Sequence, residues 1–173
     1  LYADTTRPPY LGLLTTFSDD KMFVFIIEDL KQHGIDIKNC RYYPKRSIPL
    51  STILLSNCNG ARTIIHSNKN LPHVKFEDFD KCDLTDYRWA HFEARSFSET
   101  KLMMLKIRDF NEMKPDEEKI KISLELEKKR DENLLLIKYV DVAILGRDFA
   151  ESEILGCTDK KTAIYKLKQL TQN

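Results

Sequence analysis

Apolar positions along the chain switch between two periods, and the switches mark out its elements. Phe23, Ile26, Ile27 and Leu30 stand at offsets of three, four and seven, which is one face of a helix. Asp19 or Asp20 can cap its start, and Gly34 supplies a left-handed stop. The period then shortens. Residues 47–56 (SIPLSTILLS) and 61–67 (ARTIIHS) are rich in β-branched and apolar side chains, with Asn59-Gly60 between them. That pair suits a type I′ turn, which needs positive φ at both central residues, so the stretch predicts a β-hairpin.

After Pro72 strands and helices alternate. Residues 87–92 (YRWAHF) read as a strand, and Ser96 with Glu99 forms a capping box for a helix with Met103, Ile107 and Phe110 on one face. Residues 120–127 (IKISLELE) place Ile120, Ile122, Leu124 and Leu126 at alternate positions of a second strand. A short helix over 131–139, a nearly all-apolar buried strand over 140–145 and a helix over 148–155 follow. Asp159 caps a last helix carrying Ile164, Leu167 and Leu170. This rhythm predicts an α/β fold, with a mostly parallel sheet covered on both faces and an inserted hairpin. The opening, with Arg7-Pro8-Pro9, is expected to be irregular.

Charge changes little in this picture. The 28 Lys+Arg are offset by 27 Asp+Glu, and both signs are interspersed, as in residues 116–121 and 125–131. No global field attracts nucleic acid or an anionic membrane, and neither is expected as a partner. The longest apolar run, 22–27, is too short to cross a bilayer. Cys40, Cys58, Cys82 and Cys157 form no Cys-x-x-Cys pair and follow no secretory signal, so free thiols in the cytoplasm are expected. His33, His66, His73 and His91 have no zinc-ligand spacing. Leu1 in place of Met suits a processed or partial sequence.

Candidate chemistry lies at the carboxyl ends of the strands, where ligands bind in open α/β sheets. These ends are Glu93-Ala94-Arg95, then Glu125, Glu127 and Arg130, then Gly146-Arg147-Asp148. Such clusters suit a polar, phosphorylated ligand, and they also suit plain solvated loops. Arg62, just past the hairpin turn and expected opposite Asn57, offers a fork of donors matched to phosphate oxygens; an exposed hairpin arginine can equally serve solubility. The five glycines stand at least ten residues apart, so no Walker loop or Gly-x-Gly-x-x-Gly cradle exists here.

Several segments in order resemble one family. GARTI at 60–64, LPHVKFEDFDKCDLTDYRWAHFEAR at 71–95, KIKISLELEKKR at 119–130 and YVDVAILGRD at 139–148 are similar to the ketohexokinases, among the ribokinase-like carbohydrate kinases. IEDLKQHGID at 27–36 fits the same register. The resemblance runs from about Leu14 to about Leu170. It implies a three-layer α/β/α sandwich, incomplete at both ends, with residues 1–173 as part of one kinase domain and 47–67 as its lid. In this family two lids interlock as a β-clasp, implying a homodimer. The implied reaction moves the γ-phosphoryl group of ATP to the 1-hydroxyl of fructose, with Mg2+ and K+. Arg62 matches a family arginine on the nucleotide phosphates, Arg147 a basic residue near the nucleotide, and Glu93 and Arg95 positions on the sugar side.

The departures are specific. The family's Gly-Gly-Asn sugar motif and its Gly-Ala-Gly-Asp motif, which carries the anion hole and the proton-accepting aspartate, are both absent from the 173 residues. The family's Asn-x-x-Glu magnesium motif is not kept at 147–150, and no metal ligand is carried over. Ala94 replaces a customary glycine. The stretch alone is therefore expected to be inactive. Two other readings stay open: a non-catalytic relative that binds or dimerises, and an unrelated α/β signalling domain.

Overall fold

A computed structural model describes residues 10–157 and 159–171, and it divides at Phe79/Asp80 into two compact units. The Arg7-Pro8-Pro9 stretch lies outside the described residues.

In the first unit, β1 (Leu11–Gly12) and β2 (Thr16–Ser18) precede α1 (Lys21–Gln32). β3 (Ile35–Asp36) pairs parallel with β1, and β4 (Arg41–Tyr43) pairs parallel with β2. The helix forms as its pattern predicts. Asp20 caps it, Phe23 is buried, and Ile26, Ile27 and Leu30 are half-buried. Phe23 meets the buried Phe17 of β2 edge-on, with ring centroids 5.4 Å apart. Gly34, at φ +68°, turns the chain out of the helix, where a side chain would be strained. On β3 the Asp36 carboxylate accepts from the Tyr10 hydroxyl and from the Lys38 amide, which hold its pKa below the usual range.

The hairpin is present as β5 (Leu50–Leu55) and β6 (Arg62–Ser67). Its turn differs from the expected two-residue loop. Ser56 N–H donates to Ala61 O, and Gly60 N–H reaches back to Ser56 O, so four residues, 57–60, make the loop. Only Gly60 has positive φ; Asn59 instead accepts from the Ala61 amide through its side chain. Arg62 consequently pairs with Leu55 and not with Asn57.

The second unit follows α2 (Phe76–Phe79), which closes the first. Its sheet is β7 (Trp89–Phe92), β8 (Lys121–Leu126) and β9 (Val142–Leu145), parallel throughout with β8 central. α3 (Phe97–Glu112) connects β7 to β8, and a 3-10 helix, Asp131–Tyr139, connects β8 to β9. α4 (Arg147–Ala150) and α5 (Lys160–Thr171) end the described chain. Ser96 starts α3 without a side-chain cap bond, so its half of the expected capping box does not form. α5 does have its cap: Asp159 accepts from the Lys161 and Thr162 amides and the Thr162 hydroxyl. The Thr162 bonds hold the Asp159 carboxyl below its usual range, so this cap weakens as pH falls through that lowered value.

The register of this sheet sorts its side chains by face. Ala90, Ile122, Phe92, Leu124, Ala143, Leu126 and Leu145 share one face. Ile122, Leu124 and Leu126 are buried there, with the 3-10 helix packed on β8 and against α3 and α5. On the other face Trp89, Val142 and Ile144 are exposed, so within this unit helices cover one face. The apolar run of β9 is thus an exposed edge strand, not the buried strand its composition predicts. Ser123 is buried because Trp89 Nε1 donates to its Oγ at 2.7 Å and His91 Nδ1 lies 2.9 Å away. On α5, Ala163 and Leu167 make the buried stripe, while Ile164 and Leu170 face out. The four cysteines are unbridged, and only Cys157 is buried.

Candidate functional site

The loop after β7 turns on Ala94. Its φ is +50°, in the left-handed region, and its methyl group is buried. That conformation costs a residue with a Cβ about 1–2 kcal/mol, which glycine avoids. The penalty gives a physical reason for the glycine that the family resemblance leads one to expect there. Ala94→Gly is expected to stabilise the chain by about 0.5–1 kcal/mol, because the flexible unfolded glycine gives back part of the gain. Urea denaturation checks this, and a lower midpoint would show that the methyl packing outweighs the strain.

The turn brings Glu93 and Arg95 together. Arg95 Nε donates to Glu93 Oε2 at 2.6 Å, with both side chains more than half exposed. Arg130, beyond the end of β8, donates through Nη1 to the Arg95 carbonyl at 2.8 Å. Two of the three strand ends singled out by sequence are therefore joined. The pair presents a carboxylate and a guanidinium to solvent side by side, suited to hydroxyls of a polyol.

Arg147 is not part of this cluster. Its Nε donates to Glu151 Oε1 at 2.8 Å, one turn on along its own helix. The Glu151 carboxylate raises its pKa, and the side chain stays largely exposed. Gly146, just before it, sits where a Cβ would lie 3.2 Å from Leu126 O, so a side chain here would press the ends of β8 and β9 apart by a few tenths of an ångström.

Arg62 belongs to the first unit. It opens β6 on the hairpin face that also carries Ser51, Ile53, Leu55, Ile64 and His66. The residue is exposed, and its guanidinium has no ion pair or hydrogen bond among the described residues. An uncommitted guanidinium fits a phosphate group. Among the described residues, no group of three or more His, Cys, Asp and Glu is placed to hold a metal ion. A recess of about 220 Å3 lies at the other end of the sheet, lined by Arg108, Asn111, Glu112, Lys119, Ile122 and Asp141. Asn111 there spends both side-chain bonds on the Ile120 backbone, and Asp141 accepts from the Ile122 amide. These contacts secure the start of β8.

No protein-family model matches the chain. It is 36% identical to mouse ketohexokinase over 127 residues, a match covering 73% of this chain and 43% of the mouse protein. A PfkB protein from Polaromonas sp. JS666 superposes with TM-score 0.74 at 15% identity, covering 93% of this chain and 57% of that one. A ribokinase II-like protein from E. coli, solved with ATP and Mg2+, has TM-score 0.69 at 15% identity and covers 93% and 54%. The chain thus spans about half the length of the proteins it matches. By fold it is ribokinase-like and by sequence ketohexokinase-like, matching part of a carbohydrate kinase of that family.

Proposed function

We propose that these residues form part of an ATP-dependent ketohexose kinase that phosphorylates fructose at its 1-hydroxyl. The 127-residue match to mouse ketohexokinase carries this reading. ATP and Mg2+ as cofactors draw support from the E. coli neighbour that binds both; K+ rests on the family resemblance. Phosphoryl transfer depends on positioning and on neutralising charge on the transferring oxygens. Arg62 would meet the nucleotide phosphates. Arg147, by the family resemblance a basic residue near the nucleotide, would exchange Glu151 for a phosphate, an exchange that exposure makes easy, since such surface pairs contribute little. Glu93 and Arg95 would hold the sugar hydroxyls. Magnesium, when bound, neutralises phosphate charge, and no ligand for it is assigned among these side chains.

The same reading makes the hairpin a lid and a dimer contact. Leu50, Leu54 and Ile65 are exposed on one face, and Ile53, Leu55 and Ile64 on the other. A two-stranded hairpin bare on both faces is marginal in water, and a second copy would cover it. That exposure also favours a second reading, a non-catalytic dimerising module. A cytoplasmic location belongs to either one; no helix among the described residues is long and apolar enough to cross a membrane.

A chimera separates the two readings. The 127 matched residues replace their counterparts in mouse ketohexokinase, of which the match covers 43%, and the rest of the mouse protein completes the chain. Fructose-dependent ADP release, with NMR identifying the 1-phosphate as product, supports the kinase. A folded, dimeric but inactive chimera supports the module.

A further inference from the structure

We infer that Asp19 and Asp20 are positioning residues for the hairpin that carries Arg62, fastening its root to the first turn of α1. Asp20 uses its two carboxylate oxygens for different tasks. Oδ1 accepts from the Met22 amide at 3.1 Å and caps the helix. Oδ2 accepts from the Ile48 amide at 3.2 Å, twenty-eight residues along and just ahead of β5. Asp19 Oδ1 accepts from the Lys45 amide at 2.8 Å. Lys45 has φ +58°, a conformation that a residue with a side chain holds only when its surroundings impose it.

The strap between β4 and β5 makes these bonds count. Pro44 and Pro49 bound it, and neither has an amide hydrogen. Lys45, Arg46, Ser47 and Ile48 are left as backbone donors, and the two aspartates hold the first and last of them. Every residue of β5 is exposed, so little packing fixes the direction in which the hairpin leaves the body. The carboxylates supply that direction. Asp20 itself is steadied by its own amide, which donates to Ser18 Oγ at 3.2 Å at the end of β2. The helix start, the strand end and the hairpin root thus meet at two adjacent side chains. The importance of this for phosphate contact rests on the lid reading; the fastening itself does not.

Asparagine at position 20 tests the idea, because it has one carbonyl oxygen. It can keep the Met22 cap, but it turns an NH2 group toward the Ile48 amide. In Asp20→Asn, Ile48 hydrogen exchange measured by NMR should speed about tenfold, the effect of one lost hydrogen bond, while the α1 amides keep their protection. Asp19→Ala should do the same to Lys45, and Asp19→Asn, which keeps an acceptor, should restore it. A nitroxide on exposed Cys58 at the hairpin tip, with Cys40 and Cys82 changed to serine, reports direction. Its broadening of first-unit amides should shift in Asp20→Asn and Asp19→Ala. If Asp20→Asn also unravels α1, the Asp19 pair decides, since it leaves the cap alone. Unchanged exchange at Ile48 and Lys45 with an unchanged broadening pattern overturns the inference. In the active chimera both variants should raise the ATP KM several-fold. Should exchange and broadening respond while KM does not, the fastening stands and the lid reading fails.

Discussion

In the chimera, Arg62→Ala is expected to lower kcat/KM for ATP by roughly 30- to 1000-fold, or about 2–4 kcal/mol, the usual cost of removing one charge-stabilising donor. The side chain is exposed and has no partner among the described residues, so the substitution leaves no buried acceptor behind there. A loss of that size would therefore report contact with the phosphates and not a damaged fold. Arg62→Lys should recover part of it, because an ammonium keeps the charge and loses the fork. Unchanged efficiency in Arg62→Ala would remove the arginine from the reaction.

Asn133 carries the other large effect. It lies in the 3-10 helix after β8, fully buried, and neither its Oδ1 nor its Nδ2 has a hydrogen-bond partner among the described residues. Burying an unsatisfied amide costs about 1–3 kcal/mol. Leucine has the same branched outline without the polar atoms. Asn133→Leu is expected to stabilise the chain by that amount and to raise Tm by about 2–4 °C for each kcal/mol recovered. A fall in Tm would mean that an internal water satisfies the amide and is lost with it.

Sequence and structure agree most closely where local physics decides. The stripe of α1, its Asp20 cap and the left-handed Gly34 all follow from spacing and one capping carboxylate, and all are present. The parallel strands follow from the alternation of elements. The hairpin turn departs from the expected two-residue loop because Asn-Gly suits two loop lengths. Here the Ser56–Ala61 pairing fixes the longer one, and Arg62 moves opposite Leu55. Ser96 and Glu99 have the capping-box spacing, but Ser96 makes no cap bond; spacing permits such a box without enforcing it. The burial expected for β9 failed for a tertiary reason, since an apolar strand is buried only where something packs on it.

The candidate site divides in the same way. Glu93 and Arg95 are two residues apart, and a sharp turn at Ala94 joins them, which sequence proximity foreshadows. That Arg130 grips the Arg95 carbonyl across thirty-five residues has no local signal. Nor does the second oxygen of Asp20 on Ile48, although the first was legible as a cap. The Arg147–Glu151 pair has an i,i+4 spacing, a local signal that competes with the phosphate role expected of Arg147.

The most direct test of the account measures fructose-dependent ADP release side by side for the 173-residue chain and for the chimera with mouse ketohexokinase. On the proposed reading the chain supplies residues for charge stabilisation and sugar contact, but it contains neither the Gly-Gly-Asn nor the Gly-Ala-Gly-Asp sequence that would clamp the sugar and take its proton. The account predicts a rate indistinguishable from the blank for the chain and clear turnover for the chimera. Turnover by the chain alone would mean that another group, with Glu93 the first to replace, takes the proton. A folded chimera that leaves fructose untouched would contradict the kinase reading itself.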